Sequence, residues 1–264
     1  MSPPLSNNSP AKPARGHATP LLDASNLAVR YGSFKALTDV SLRVGRRGVH
    51  AVIGPNGAGK TTLFNVLSGH VKPSAGVLSF EGDIVNGFAA DRLARLGVGR
   101  SFQICSVFPN LSVAENIKMA TMRGCGILRM LQQSGAAAYS NIDTNRLLEQ
   151  TGLWSNRHRP ASELSYGRRR LLEIVTALAP RPKLLLLDEP MAGLAREDIP
   201  PVVELISETA KTCSVVLIEH NLKVVEALAD QVTVMAEGSV LCQGSYVQVS
   251  SDARVIKAYI GTAE

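Results

Sequence analysis

Gly54-Pro55-Asn56-Gly57-Ala58-Gly59-Lys60-Thr61 decides how the rest of the chain is read. Val49, Ala51, Val52 and Ile53 run into it as an apolar segment, and Thr62-Leu63-Phe64-Asn65-Val66-Leu67 runs out of it at helical spacing. A strand, a glycine-rich loop and a helix start, in that order, are the setting in which this spacing binds phosphate. Glycines let successive backbone N–H groups turn inward around the phosphates, where a Cβ would clash. The helix opening near Lys60 adds its positive end. Lys60 brings a mobile charge to the β- and γ-phosphates, and the Thr61 hydroxyl is placed to ligate Mg²⁺. The expected nucleotide-binding residues are therefore Gly54, Pro55, Asn56, Gly57, Ala58, Gly59, Lys60, Thr61 and Thr62.

A second stretch completes that chemistry. Leu184-Leu185-Leu186-Leu187-Asp188-Glu189 reads as a strand buried on both faces that ends in two carboxylates. Such a strand sets acid at the carboxyl edge of a sheet, where a phosphate loop also lies. Asp188 is placed to hold Mg²⁺, and Glu189 to polarise an attacking water as general base.

Composition bounds the remaining possibilities. With 264 residues, 45% hydrophobic and 19% charged, the chain suits one large α/β domain or a core with a smaller lobe. No apolar run reaches the roughly 20 residues that cross a bilayer. Residues 2–20 hold five prolines and no acidic group and lack the apolar stretch of a secretion signal, so residues 1–20 read as a disordered tail on a cytoplasmic protein. The net charge of +6 includes Lys12 and Arg15 of that tail, and no basic stretch interleaved with aromatics suggests nucleic acid. Cys105, Cys125, Cys213 and Cys242 show no metal or redox spacing and read as reduced thiols without chemistry.

Along the chain, strands are expected at Leu21–Tyr31, Ala36–Val44, Val49–Ile53, Gly76–Phe80, Val98–Phe102, Leu184–Leu187, Ser214–Ile218 and Val232–Met235. Helices are expected at Asp91–Leu96, closed by Gly97, and from the capping box Ser112-Val113-Ala114-Glu115 to about Met122. Further helices are expected at Asp143–Leu153, from Arg168 to before Pro180, at Val202–Ala210 and at Leu222–Ala229. This alternation predicts an α/β fold with a mostly parallel sheet. The stretch from about 104 to 160 has no convincing strand and is expected to form a helical subdomain within a domain spanning 21–264.

Leu164-Ser165-Tyr166-Gly167-Arg168, at the start of a helix and shortly before the acidic strand, brings in a resemblance. It is similar to the signature motif, usually Leu-Ser-Gly-Gly-Gln, of the ATP-binding subunits of ABC transporters. The resemblance runs from Leu21 to Gly261 and implies a P-loop NTPase core with an antiparallel β portion near the N-terminus. It implies that Ser165 and the Gly167 backbone contact the γ-phosphate of ATP bound to a second subunit, so that two chains head to tail bury two ATP. It also implies that Tyr31 stacks on adenine, that Gln103 reaches the metal and the attacking water, and that His220 is a switch histidine on the γ-phosphate. The partners implied are a second ATP-binding subunit, identical or not, transmembrane permease subunits and, indirectly, a solute-binding protein. The location implied is peripheral, on the cytoplasmic face of a bacterial inner membrane.

Gly97-Val98-Gly99-Arg100-Ser101-Phe102-Gln103, Leu164-Ser165-Tyr166-Gly167 and Arg254-Val255-Ile256-Lys257-Ala258-Tyr259-Ile260-Gly261 resemble the branched-chain (hydrophobic) amino-acid uptake subfamily. Urea and short-amide uptake ATPases are similar as well. A soluble ATP-dependent regulator is a third reading, although the long coiled-coil insertion of DNA-repair relatives and the tandem cassettes of translation-type relatives are absent from this sequence. A subunit that no longer hydrolyses ATP is a fourth, motivated by Arg168 and Ala195, two of three departures from the family pattern. Arg168 stands where the subfamily has Gln, Ala195 where family members carry Asp or Asn, and residues 123–142 look shorter than usual before the signature.

Overall fold

The computed structural model describes residues 19–101, 107–122 and 144–260. Strands β1 (Leu22–Tyr31), β2 (Phe34–Val44), β4 (Ala75–Phe80) and β5 (Asp83–Ile84) form an antiparallel sheet in the order β2-β1-β4-β5. A second sheet runs β10-β9-β3-β8-β7-β6, from β3 (Gly48–Ile53), β6 (Val98–Arg100), β7 (Leu184–Asp188), β8 (Ser214–Ile218), β9 (Gln231–Ala236) and β10 (Ser239–Gly244). All its pairings are parallel except the β9–β10 hairpin. This is the α/β architecture of a P-loop NTPase.

The helices are α1 (Lys60–Leu67), α2 (Ala90–Leu96), α3 (Val113–Met122), α4 (144–150 among the described residues) and α5 (Tyr166–Leu178). They continue with α6 (Ile199–Ala210), α7 (Leu222–Leu228), α8 (Tyr246–Ser250) and α9 (Ala253–Ile260). Their starts follow local chemistry. Before α3 the Glu115 amide donates to Ser112 Oγ at 3.2 Å while the Ser112 amide donates to the Glu115 carboxylate at 2.8 Å, a reciprocal cap. The Ser165 hydroxyl caps α5 by accepting from the Arg168 amide. Helix α6 opens three residues earlier than the apolar pattern predicts, because Pro200 and Pro201 suit a first turn. The cap expected at Asp143 lies outside the described residues.

Strand β7 shows why the parallel sheet has two covered faces. Its side chains alternate, so Leu184 and Leu186 join a core with α1 and the antiparallel sheet through Leu63, Phe64, Leu42 and Leu78. Leu185 and Leu187 face the other way, onto Leu172 and Val175 of α5, Val202 of α6 and Val113 and Ile117 of α3. The helical stretch around α3 and α4 is thereby seated on α5, and the isolated bridge between Ser112 and Pro160 joins its ends. Strand β6 is shorter than the expected Val98–Phe102: it sits at the edge of the sheet, paired only with β7, and ends at Arg100, while Phe102 lies outside the described residues. Two strands escape the sequence patterns, β5 with two exposed residues and β10 with a half-buried, non-alternating run. The second is set by its neighbour across the two-residue turn Glu237-Gly238, where both φ angles are positive as a tight hairpin requires.

Candidate nucleotide-hydrolysis site

Sheet register assembles the site. Val52 of β3 and Asp188 of β7 both pair with Ile218 of β8, so the three stand in one row across the sheet. The parallel strands leave that row together. One residue further brings Glu189, and two residues further bring Gly54 and His220. Segments more than a hundred residues apart in sequence thus meet at one carboxyl edge, where ligands bind in sheets of this kind.

At the phosphate loop, Gly54 adopts φ +152°, and a Cβ there would fall 2.2 Å from the Met235 carbonyl of β9. The loop is pressed against the sheet, and only glycine fits. Helix α1 begins at Lys60 with no side-chain cap, which leaves its first amides available to an anion. The buried Lys60 ammonium donates to the Gly54 and Pro55 carbonyls at 2.7 and 2.9 Å. Burial pulls its pKa down, and the Glu189 and Asp188 carboxylates oppose that shift. Asn56, Gly57 and Thr61 are exposed, and Pro55, Gly59 and Thr62 half-buried, while Ala58 packs into the core.

Asp188 is 2% exposed, and among the described residues its Oδ2 has no hydrogen-bond partner. The nearest cation is Arg100, whose Nη2 is 3.9 Å away while its Nη1 donates to Asn65 Oδ1 at 2.9 Å and Ser68 Oγ at 2.6 Å. Burial raises the Asp188 pKa, and Arg100 is the main opposing influence. A buried carboxylate oxygen left unbonded fits a divalent cation. Among the described residues no three His, Cys, Asp or Glu side chains could enclose a metal by themselves. Mg²⁺ is commonly held through one or two carboxylates, with phosphate oxygens and water completing its shell.

Glu189 is partly exposed and adopts φ +45°, a left-handed conformation uncommon for a non-glycine residue. Its Oε1 lies 3.8 Å from His220 Nδ1, too long for a direct hydrogen bond, so carboxylate and imidazole stand side by side at this edge. Tyr31 ends β1 and is 52% exposed. Gln103 lies outside the described residues.

Ser165 and Gly167 stand apart from this cluster. Ser165 is exposed at the start of α5, and among the described residues no hydrogen bond joins it to the phosphate loop. Gly167 packs against the Asp198 carboxylate. The Tyr166 hydroxyl donates to the Ala192 carbonyl at 3.2 Å, linking the signature to the turn after the acidic strand. The unusual Arg168 is not a free charge, because its Nη1 bonds Asn156 Oδ1. Ala195 precedes a short 3₁₀ turn, Arg196–Asp198, with no side-chain cap. Of the four cysteines, Cys213 is buried, which pushes its thiol up to about 11, and Cys242 is half-buried; Cys105 and Cys125 lie outside the described residues.

Three side chains that sequence reasoning did not assign turn out to support the site: Arg100, Arg170 and Glu219. Each lies in a stretch already notable, Arg170 in the run Arg168-Arg169-Arg170 and Glu219 immediately before His220. Their partners include main-chain groups and side chains distant in sequence, which no local pattern marks.

Known proteins resemble this chain in sequence and in fold. The sequence profile of the ABC transporter family matches residues 37–192, more than half of the chain. The high-affinity branched-chain amino acid transport ATP-binding protein BraF of Pseudomonas aeruginosa is 35% identical over 252 residues, covering 92% of this chain and 99% of its own. LivG of Escherichia coli, described in the same words, is 35% identical with the same coverage. Among solved structures, a nucleotide-free ATP-binding cassette from an ABC transporter superposes with a TM-score of 0.80 at 31% identity, covering 92% of this chain and 99% of that one. A cassette in its ADP conformation gives 0.81 at 31% identity, covering 92% and 100%.

Proposed function

This chain belongs to the ABC transporter family and is an ATPase of that family; from that premise we propose that it energises an importer of branched-chain or other hydrophobic amino acids. The observation that carries the reading is the row Val52–Ile218–Asp188, which delivers phosphate loop, acidic pair and His220 to one edge. The relatives of matching length, BraF and LivG, carry branched-chain amino acid transport in their descriptions.

In this reading ATP lies with its adenine on Tyr31 and its phosphates in the cradle of Gly54, Pro55, Asn56, Gly57, Ala58, Gly59, Lys60, Thr61 and Thr62. Lys60 exchanges its two carbonyl partners for phosphate oxygens. Mg²⁺, held by Thr61, Asp188 and Gln103, would neutralise phosphate charge. Glu189 accepts the proton of the attacking water, and His220 orients the γ-phosphate from the far side of that water. The exposed Ser165 and the backbone of the buried Gly167, both set apart from the phosphate loop, serve the nucleotide of a second chain, so two chains head to tail complete two sites. The helical subdomain, represented among the described residues by α3 and α4, meets the permease. Among the described residues no helix is long and apolar enough to cross a membrane. Attachment to the inner membrane therefore comes through those permease subunits, and selectivity through them and a solute-binding protein.

Transport decides the substrate. Deleting the gene should abolish ATP-dependent uptake of labelled leucine, isoleucine or valine, and restoring the full chain should recover it. Uptake of urea lost in their place would move the assignment to short amides. A deletion that alters no solute flux, with a chain never recovered with membranes, would favour a soluble regulator.

A further inference from the structure

The turn after β7 is gripped from two sides by buried charges bonded to its main chain. On the carbonyl side stands Arg170 of α5. Its Nη2 donates to the carbonyls of Asp188 and Glu189, both at 3.0 Å, and its Nε donates to the Pro190 carbonyl at 3.1 Å. The remaining Nη1 is satisfied by Glu173 at 2.7 Å. On the amide side stands Glu219, 1% exposed. One of its oxygens accepts the Met191 amide at 3.0 Å, and the other accepts the amides of His220 and Asn221 at 3.2 and 3.3 Å.

We propose that Arg170 and Glu219 are positioning residues, a two-sided clamp on the backbone that fixes the aim of Glu189. The inference deepens the reading of Glu189 as general base and rests on it. The physical need is visible in the backbone. Glu189 at φ +45° is strained, and such a conformation persists only where its surroundings over-determine it. Three consecutive carbonyls turned toward one guanidinium fork supply that constraint, and Glu219 closes the turn from the opposite side. The clamp also carries information. Arg170 belongs to the helix that Ser165 opens, and Glu219 holds the amide of His220 itself. A shift of the signature helix therefore reaches Glu189 through one side chain, and a shift of the His220 turn through another.

The chemistry of each group suggests a substitution that keeps its size. Arg170→Lys keeps the positive charge but loses the planar fork, so one ammonium cannot span three carbonyls and Glu173. Glu219→Gln turns one acceptor into an NH₂ facing backbone N–H groups, leaving either Met191 or the His220–Asn221 pair without a partner. The test uses the purified full chain and measures steady-state ATP hydrolysis and nucleotide affinity for wild type, Arg170→Lys, Glu219→Gln, Glu189→Gln and Arg170→Lys with Glu189→Gln. The expected result is a kcat lower by about 10–10² in Arg170→Lys and Glu219→Gln, with ATP affinity within about threefold of wild type. In the Glu189→Gln background Arg170→Lys should change the residual rate by less than about twofold, because no base remains to be misaimed. Should Arg170→Lys lose its near-ultraviolet dichroism and fail to fold, the kcat and affinity of Glu219→Gln decide. Unchanged kcat in both clamp variants overturns the clamp, as does an equal loss from Arg170→Lys with and without Glu189. Normal turnover of Glu189→Gln alone overturns the base assignment, and the clamp with it.

Discussion

The edge carrying Asp188, Glu189 and His220 and the helix start carrying Ser165 and Gly167 are both proposed to serve phosphate, yet they are built in opposite ways. The first is fixed by β-register, by a lysine folded onto its own loop and by buried bonds to main chain. The second has an exposed serine whose hydroxyl caps its own helix. A site completed within one chain can be rigid beforehand. A site that must receive another chain's ligand has to stay open, and its geometry is finished by the approach of that chain. The comparison breaks hardest at Glu189. Glu189→Gln should lower hydrolysis by about 10²–10⁴ while nucleotide affinity stays within a few-fold. Steady-state turnover and nucleotide titration of the same preparation check it, and retained turnover would show that the rigid edge does not hold the base.

The rigidity of that edge has a cost that pH exposes. Under the phosphate loop, His50 of β3 is buried, with Nε2 2.8 Å from Thr233 Oγ1, which also receives Gln243. Burial lowers its pKa from 6.5 to about 4. The unfolded chain therefore takes up a proton near pH 6.5 that the folded chain refuses until about pH 4. The stability that neutral His50 contributes is complete above pH 6.5, falls as pH drops, and is gone below about 4. The span corresponds to about 3 kcal/mol. Because carboxylates titrate in the same range, the measurement is a difference: wild type against His50→Gln in urea unfolding at pH 7, 5.5 and 4. The wild type should lose more stability, and parallel curves would contradict the buried neutral imidazole.

The same contrast explains what the sequence disclosed. The phosphate loop and the Leu184–Glu189 strand are contiguous, and alternation or its absence reports burial on one or both faces directly. Capping at Ser112 and Ser165 is equally local. Strand β10 escaped because its half-buried residues carry no period and its partner supplies the register. Arg170 and Glu219 escaped for a different reason: the bonds that grip the turn after β7 reach main-chain atoms 18 to 28 positions away, and a carbonyl or amide leaves no trace in residue identity. Arg168 shows the opposite limit. The sequence marks it as a departure beside the nucleotide, and only the coordinates give its partner, Asn156.

The smallest effect belongs to the open region and is the sharpest probe of the comparison. Ser165→Ala removes a helix cap, worth about 1 kcal/mol of stability, without touching the phosphate loop. Nucleotide affinity of the dilute single chain should therefore remain unchanged, while hydrolysis at concentrations that favour pairing should fall about tenfold. Lys60→Ala, in contrast, weakens binding in the chain that carries it. Mixing the two variants separates the regions: in a mixed head-to-tail pair, one site receives both lesions and the other receives neither. About a quarter of all sites in an equimolar mixture are then intact, so activity should rise above that of either variant alone. A mixture no more active than its components would mean that Ser165 and Lys60 serve the same chain's nucleotide, and the open helix start would need another explanation.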